Sequence, residues 1–239
     1  MTQYTVQRGD SLSLIARRFH VPRWQTIYNH PLNADFKRRR PNPNLIYPGD
    51  IVFVPDGGVT PPPGPAPVPR RLDYTVPGTI DVIAQPTSLV CWATVYTMMR
   101  SWKFQNSTPI RAAVAEVGEQ YGVRVDNNQA LPPSEFLPFL RAANMRFEPM
   151  ANYTIEAWAD KLRAYGMLWV GTMNLDSSGR HSRIIRAISG DGGVETTFFT
   201  IIDPDGGRQY REKFSDFLRR YEDAFTYGDN TGYYQVRHW

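Results

Sequence analysis

The chain has a single cysteine, Cys91, placed where a polar loop gives way to an apolar run; residues 84–99 read AQPTSLVCWATVYTMM. A thiol at the head of a helix feels the positive end of the helix dipole and several unpaired backbone N–H groups. Both favour the thiolate, the form that attacks a carbonyl carbon. Gln85 lies six residues upstream. A side-chain amide there can reach back and help the Cys91 N–H hold an oxyanion. Taken alone, a lone cysteine is most often a small buried hydrophobe, so its neighbours have to carry the argument. One cysteine forms no internal disulfide, which leaves either redox compartment open. No His/Cys cluster has metal-ligand spacing and no glycine loop is built to cradle phosphate, so no cofactor is expected. Trp158, Trp169 and Met167 read as core.

Two features bound the organisation around this thiol. Of 239 residues, 41% are hydrophobic, enough for an ordinary core, and the 20 prolines are clustered rather than spread. Residues 56–71, DGGVTPPPGPAPVPRR, have no face to bury and read as an extended polyproline spacer. That gives a small domain at 1–55, a linker at 56–71 and a larger domain at 72–239. The formal charge of +4 is mild and dispersed. It could help the protein reach an acidic polymer, but it gives no reason to expect a nucleic-acid partner. The one basic run, residues 37–40, reads as a solvated loop. No apolar run approaches membrane-span length, and residues 1–10 lack the basic and apolar segments of a secretory signal. The expectation is a protein made in the cytoplasm, exported by a route that reads no such signal, and acting in a target cell or periplasm.

The first domain reads as strand, helix, helix, strand. Tyr4 and Val6 lie in a short strand, and Gly9-Asp10-Ser11 turns into a helix with Asp10 or Ser11 as its N-cap. Leu12, Ile15, Ala16 and Phe19 recur at helical spacing. Pro22 opens a second helix, Tyr47-Pro48-Gly49-Asp50 turns, and residues 51–54 close with a strand. In the larger domain, helices are expected at 91–102, 109–121, 134–143 and 155–165. Strands are expected at 167–173, 183–188, 197–202 and 233–237, with one more helix near 215–221. Helices first and strands later make an α+β domain, a helical half packed on an antiparallel half.

The first domain resembles the LysM family, in YTVQRGDSLSLIARRF, then IYN, then NPNLIYPGDIVFVP, over residues 4–55. One departure is the stretch 30–43, longer and more basic than the usual connection. The resemblance implies a groove for N-acetylglucosamine polymers, peptidoglycan or chitin. Its contacts would come from Gly9, Asp10, Ser11 and Leu12 on one side and Leu45, Ile46 and Tyr47 on the other. The competing reading is that these residues only build turns and core, or that the module docks onto a protein.

The order glutamine, then Cys-Trp at a helix head, resembles papain-like cysteine proteases in Gln85, Cys91 and Trp92. The glycine-serine pair usual before the cysteine is replaced by Leu89-Val90. The look is closer to bacterial papain-like effectors and bacteriocin-processing peptidases than to lysosomal enzymes. Such an enzyme needs a base. Of four histidines, His20 and His30 lie in the LysM-like part and His238 is next to the end. His181 remains, at a loop-to-strand junction downstream of the cysteine, the order this fold uses. In many bacterial relatives an Asp-Pro at the next strand's end supplies the orienting acid, which implies Asp203. Asp205 reads as the turn former, and Asn174 precedes the histidine. The resemblance implies a cysteine peptidase acting on proteins. A peptidoglycan amidase or endopeptidase, which the LysM resemblance supports, and a non-catalytic glycan-binding protein are the alternatives. LysM plus a hydrolase resembles an effector or toxin delivered by a type VI secretion device. That architecture implies a secretion-apparatus spike component and an immunity protein as partners.

Overall fold

The computed structural model describes residues 1–7, 10–43, 46–47, 49–55, 72–149, 151–176, 178–227 and 233–239. The chain divides into two compact units, Met1–Arg70 with Ala151–Trp158, and Arg71–Met150 with Ala159–Trp239. The proline-rich linker expected at 56–71 lies outside the described residues.

In the first unit β1 (Thr2–Thr5) pairs antiparallel with β2 (Ile51–Val54), Thr2 opposite Val54 and Thr5 opposite Ile51. Between them run α1 (Leu12–Arg18), α2 (Trp24–Tyr28), a 3-10 turn (Pro31–Asn33) and α3 (Ala34–Arg39). Ser11, not Asp10, caps α1: its hydroxyl accepts from Leu14 N at 3.1 Å, meeting one orphan donor of the first turn. Leu12, Ile15 and Ala16 turn inward with Ile27, Tyr28, Phe36, Val52 and Val54 to form a small core.

The stretch 30–43 is not the loop the sequence suggested, because α3 occupies it. Phe36 is its only core anchor, so no apolar period announces it. Asn33 fixes it instead, donating to the Ile27 and Phe53 carbonyls and accepting from Phe53 N, each at 2.7 Å. The basic run is therefore the end of a helix. Within it, Lys37 donates to Asn29, Arg38 pairs with Asp35, and Arg40 forks onto Asp50 at 2.9 and 3.0 Å.

The second unit orders helices before most of its strands. After β3 (Tyr74–Thr75) come α4 (Cys91–Phe104), α5 (Ile110–Ala115), α6 (Glu119–Asp126), α7 (Pro133–Ala142), β4 (Arg146–Phe147) and α8 (Ile155–Tyr165). Then follow β5 (Leu168–Met173), β6 (Arg180–Ser189), β7 (Phe198–Asp203), β8 (Arg208–Lys213), α9 (Phe214–Thr226) and β9 (Val236–His238). The described strands make one seven-stranded sheet in the order β4-β9-β5-β6-β7-β8, with β3 added to β6, every pairing antiparallel.

α4 packs across β6, and α9 packs on β5 and β8. The long helix expected over 109–121 breaks into α5 and α6 around Gly118. Chemistry on such a scaffold falls where the head of α4 meets the start of β6. The class is α+β, with helices gathered against an antiparallel sheet.

Candidate active site

Cys91 is the first residue of α4, and the preceding Val90 offers no side-chain cap. The first helical bond runs from Thr94 N to Val90 O, at 3.0 Å. The N–H groups of Cys91, Trp92 and Ala93 therefore point out of an uncapped helix head, where the dipole favours negative charge. Trp92 anchors that head from inside. It is fully buried, meets Tyr121 and Phe139 edge-on, and donates its indole N–H to the Gln129 carbonyl at 3.1 Å. The loop before the cysteine is clipped by Asn128, whose side chain accepts from Leu89 N at 3.0 Å and donates to the Ser88 hydroxyl at 3.3 Å.

His181 is the second residue of β6, opposite Thr172 of β5, one step further into the strand than the sequence placed it. The hairpin joining β5 to β6 is tied down by Arg180, which donates to the Ala224 carbonyl at 2.9 Å and to that of Tyr227. Asp203 closes β7, where the sheet register carries its side chain to the same face as that of His181. His181 Nε2 lies 2.7 Å from Asp203 Oδ1. Cys91 lies close enough to the imidazole for each to shift the other's ionisation, so the order is thiol, imidazole, carboxylate.

The electrostatics follow from that order. Burial pushes the Cys91 thiol up. The hydrogen bond and charge of His181, with the N–H and hydroxyl of Ser182, outweigh burial and bring it below the ordinary thiol value. Burial pushes His181 down, but its bonds to Asp203 and Cys91 lift it to about 9. Burial likewise opposes ionisation of Asp203. The His181 contact, the Asp205 N–H at 2.9 Å and the charge of Arg183 hold it below the usual carboxylate range. The site thus favours thiolate, imidazolium and carboxylate together.

Gln85 reaches this place by a route the sequence did not disclose. Residues 77–85 run back along α4, with Pro77 O accepting from the Trp102 indole at 2.8 Å and Ile83 N meeting the Met98 sulfur at 3.4 Å. Gln85 N then donates to Pro204 O at 2.8 Å, next to the acid. Gly207 makes this approach achievable: its φ is +59°, and a Cβ there would lie 2.8 Å from Ala84 N. The Gln85 amide is turned inward. Its Nε2 donates to the Thr87 and Ser88 carbonyls at 3.0 and 3.1 Å, and its buried Oε1 has no hydrogen-bond partner among the described residues.

Cys91, His181, Asp203 and Gln85 are brought together within one unit. Asp205 is an exposed turn residue that pairs with Arg208; Asn174 bonds to Ser178 in the hairpin. Ser182, Tyr210, Arg183 and Glu212 also belong to the site, and sequence reasoning missed them. Tyr210 donates to Asp203 Oδ2 at 3.0 Å. The only signal was weak: a tyrosine and a glutamate two apart in a polar stretch after the Asp-Pro-Asp-Gly-Gly turn, the signature of a strand with one covered face.

Of the glycan-contact candidates, Gly9 and Leu45 lie outside the described residues. Asp10, Ser11, Leu12 and Ile46 are all buried within the first unit, while Tyr47 is exposed, with Arg40 stacked 4.5 Å from its ring centre. Asp10 accepts from Gln7 N at 2.7 Å and Tyr4 OH at 2.6 Å. Among the described residues no group of three or more His, Cys, Asp or Glu could hold a metal ion. No described helix is long and apolar enough to cross a membrane.

Comparison with protein families gives two matches. Residues 71–222 match the family described as papain-like cysteine protease AvrRpt2, and residues 4–29 match the LysM domain. The second match runs from the end of β1 through α1 and α2 and stops before the 3-10 turn. Comparison with curated proteins gives no match.

Proposed function

The chain belongs to the family of the papain-like cysteine protease AvrRpt2, and from that premise we propose that Cys91, His181 and Asp203 cut peptide bonds in a protein substrate through a thioester. The observation that carries this reading is the 2.7 Å contact between the His181 imidazole and the Asp203 carboxylate, with the Cys91 thiol close enough to the same imidazole for each to shift the other's ionisation. His181 takes the thiol proton, and the thiolate attacks the carbonyl carbon. The oxygen that becomes negative rests on the Cys91 N–H at the uncapped head of α4. Gln85 joins it on releasing Thr87 or Ser88. His181 then gives its proton to the leaving amine, and afterwards takes one from the water that cleaves the thioester. Asp203 keeps the imidazole aligned and balances its charge throughout.

The LysM domain is the second part of the proposal. It holds the enzyme on peptidoglycan or another N-acetylglucosamine polymer and so raises its concentration at that surface. The pairing suits an exported bacterial effector, with an immunity protein and a secretion spike as partners. The same domain favours a second reading, an amidase or endopeptidase that cuts the peptide stems of the polymer it grips. Zymography of the full chain on casein and on purified peptidoglycan, beside Cys91→Ala, decides between them. Clearing of casein alone supports the protein substrate, clearing of peptidoglycan supports the stem peptide, and no clearing of either overturns both. Retention of the full chain on insoluble peptidoglycan or chitin supports the anchoring role, and its absence from both pellets removes it.

A further inference from the structure

Behind Asp203 the sheet carries a line of buried charged and polar groups that the proposed mechanism does not use. Tyr210 of β8 donates its hydroxyl to Asp203 Oδ2 at 3.0 Å. That hydroxyl accepts in turn from Arg183 Nη1 at 3.0 Å. Arg183 sits one turn of the strand alternation past His181, on the same face of β6. It is fully buried and also donates to the Thr172 hydroxyl at 2.9 Å and to Glu212 at 2.7 Å. Arg220 of α9 pairs with Glu212 and closes the line. Two cations and two carboxylates thus alternate from the covered face of the sheet to α9, with the phenol between Asp203 and Arg183.

Burying so many charges is costly unless each is paired, and a replacement of similar volume without charge is often no less stable. Stability alone is therefore a poor account of the line. Its geometry has a specific consequence. Asp203 Oδ1 is shared by His181 and the Asp205 N–H, and Oδ2 is met by Tyr210. With both oxygens committed the carboxylate cannot rotate away from the imidazole. A phenol that accepts from a guanidinium is also a stronger donor. Burial pushes the Tyr210 hydroxyl up; the charge of Arg183 pulls it back and that of Asp203 adds to the rise, and the net effect keeps it protonated beyond its ordinary range, so it remains a donor.

We propose that Tyr210, polarised by Arg183, is a positioning residue that locks the Asp203 carboxylate in register with His181. The proposal rests on the assignment of His181 and Asp203 as base and orienting acid. The groups that act on Asp203 and His181 are Cys91, Tyr210, Arg183 and Arg220, with the Asp205 N–H. Removing only the Tyr210 hydroxyl takes a donor from the ionised carboxylate and frees its rotation, which weakens its hold on the imidazolium.

The test uses the full chain with Tyr210→Phe, which keeps the ring. The His181 imidazole is followed by NMR titration and assigned with His181→Ala. The wild-type midpoint should lie at about 9, and the variant's should fall by roughly one pH unit. On a cleavable soluble peptide kcat should drop about tenfold, with KM changed less than twofold. A ring that matters only for packing would move neither the midpoint nor the balance of kcat and KM. A folded variant with an unmoved midpoint overturns the proposal. Should Tyr210→Phe fail to fold, Arg183→Lys, which keeps the charge and loses the fork, should lower the midpoint in the same direction by less; an unmoved midpoint there overturns it equally. A wild-type chain that cleaves no peptide overturns the peptidase reading instead, and the NMR midpoint still decides the role of Tyr210.

Discussion

Both units of this chain bury aspartates beside a tight turn, and they use them differently. In the first unit Asp50 accepts from Tyr47 N at 2.9 Å and takes the Arg40 guanidinium on both oxygens. Asp10 accepts from Gln7 N and Tyr4, and pairs with Arg18 at 3.1 Å. In the second unit Asp203 has the same equipment, a local N–H from Asp205 and a tyrosine hydroxyl, but its charged partner is His181. A guanidinium never gives up its proton in a protein, so Asp10 and Asp50 are locks. An imidazole does so near neutrality, so Asp203 can set when it does. Partner chemistry, rather than burial or turn geometry, separates a structural acid from a working one.

The comparison is most easily broken at the working end. Cys91→Ala and His181→Ala should each lower kcat/KM on a peptide substrate by ~10³-fold or more while the circular dichroism stays native. Substantial turnover left in either would mean that the chemistry lies elsewhere. Asp203→Ala should cost roughly 10²–10³-fold, and Asp203→Asn less, because an amide oxygen can still orient the ring. A greater loss from Asp205→Ala than from Asp203→Ala would show that the wrong acid is assigned.

The pH profile sharpens the same point. Activity needs Cys91 ionised and His181 protonated. It should rise as pH passes the lowered thiol value and fall as pH climbs through about 9, where the imidazolium is lost. Asp203→Asn removes the charge that raises His181, so the upper limit should move down; an upper limit that stays put would mean the carboxylate charge plays no part.

The locks should behave in the opposite way. Asp50→Ala removes a buried acceptor facing a half-exposed Arg40 and should destabilise the first unit by ~1–3 kcal/mol. Hydrogen exchange of β1 and β2 amides in the full chain would read this, with turnover of a soluble peptide unchanged within twofold. Loss of turnover instead would give Asp50 a role in catalysis. Asp10→Asn, which keeps the oxygen and the turn, should be the smallest effect, ~0.5–1.5 kcal/mol by the same exchange. A larger cost than that of Asp50→Ala would reverse the ranking of the two locks.

Much of the scaffold was legible because its apolar residues keep a regular period. α8 spans the residues its pattern marked, and α4 and β5 differ from theirs by a residue or two at one end. Elements without that pattern were hidden. α3 has one apolar anchor, β3 and β4 have two residues each, and β8 reads Arg-Gln-Tyr-Arg-Glu-Lys, polar on both faces. In β8 the covered face buries Tyr210 and Glu212 against Arg183, where a hydrophobic pattern has nothing to detect. The site shows the same limit. Cys91 and His181 stood out as rare residue types at junctions between elements, and Asp203 through the Asp-Pro that the resemblance places at the end of the next strand. The groups behind them are common types, and only sheet register lines them up.

One consequence concerns time. The thiol heads the first helix of its unit, whereas its proposed base on β6 and acid on β7 come 90 and 112 residues later. At usual rates of protein synthesis Asp203 leaves the ribosome roughly 5–20 s after Cys91. Until β6 and β7 pair, nothing but the helix head favours the thiolate, so the sulfur of the growing chain stays an ordinary thiol, slow to attack a peptide and slow to oxidise. Arming the nucleophile thus waits on strands made long after its helix, a delay built into strand order.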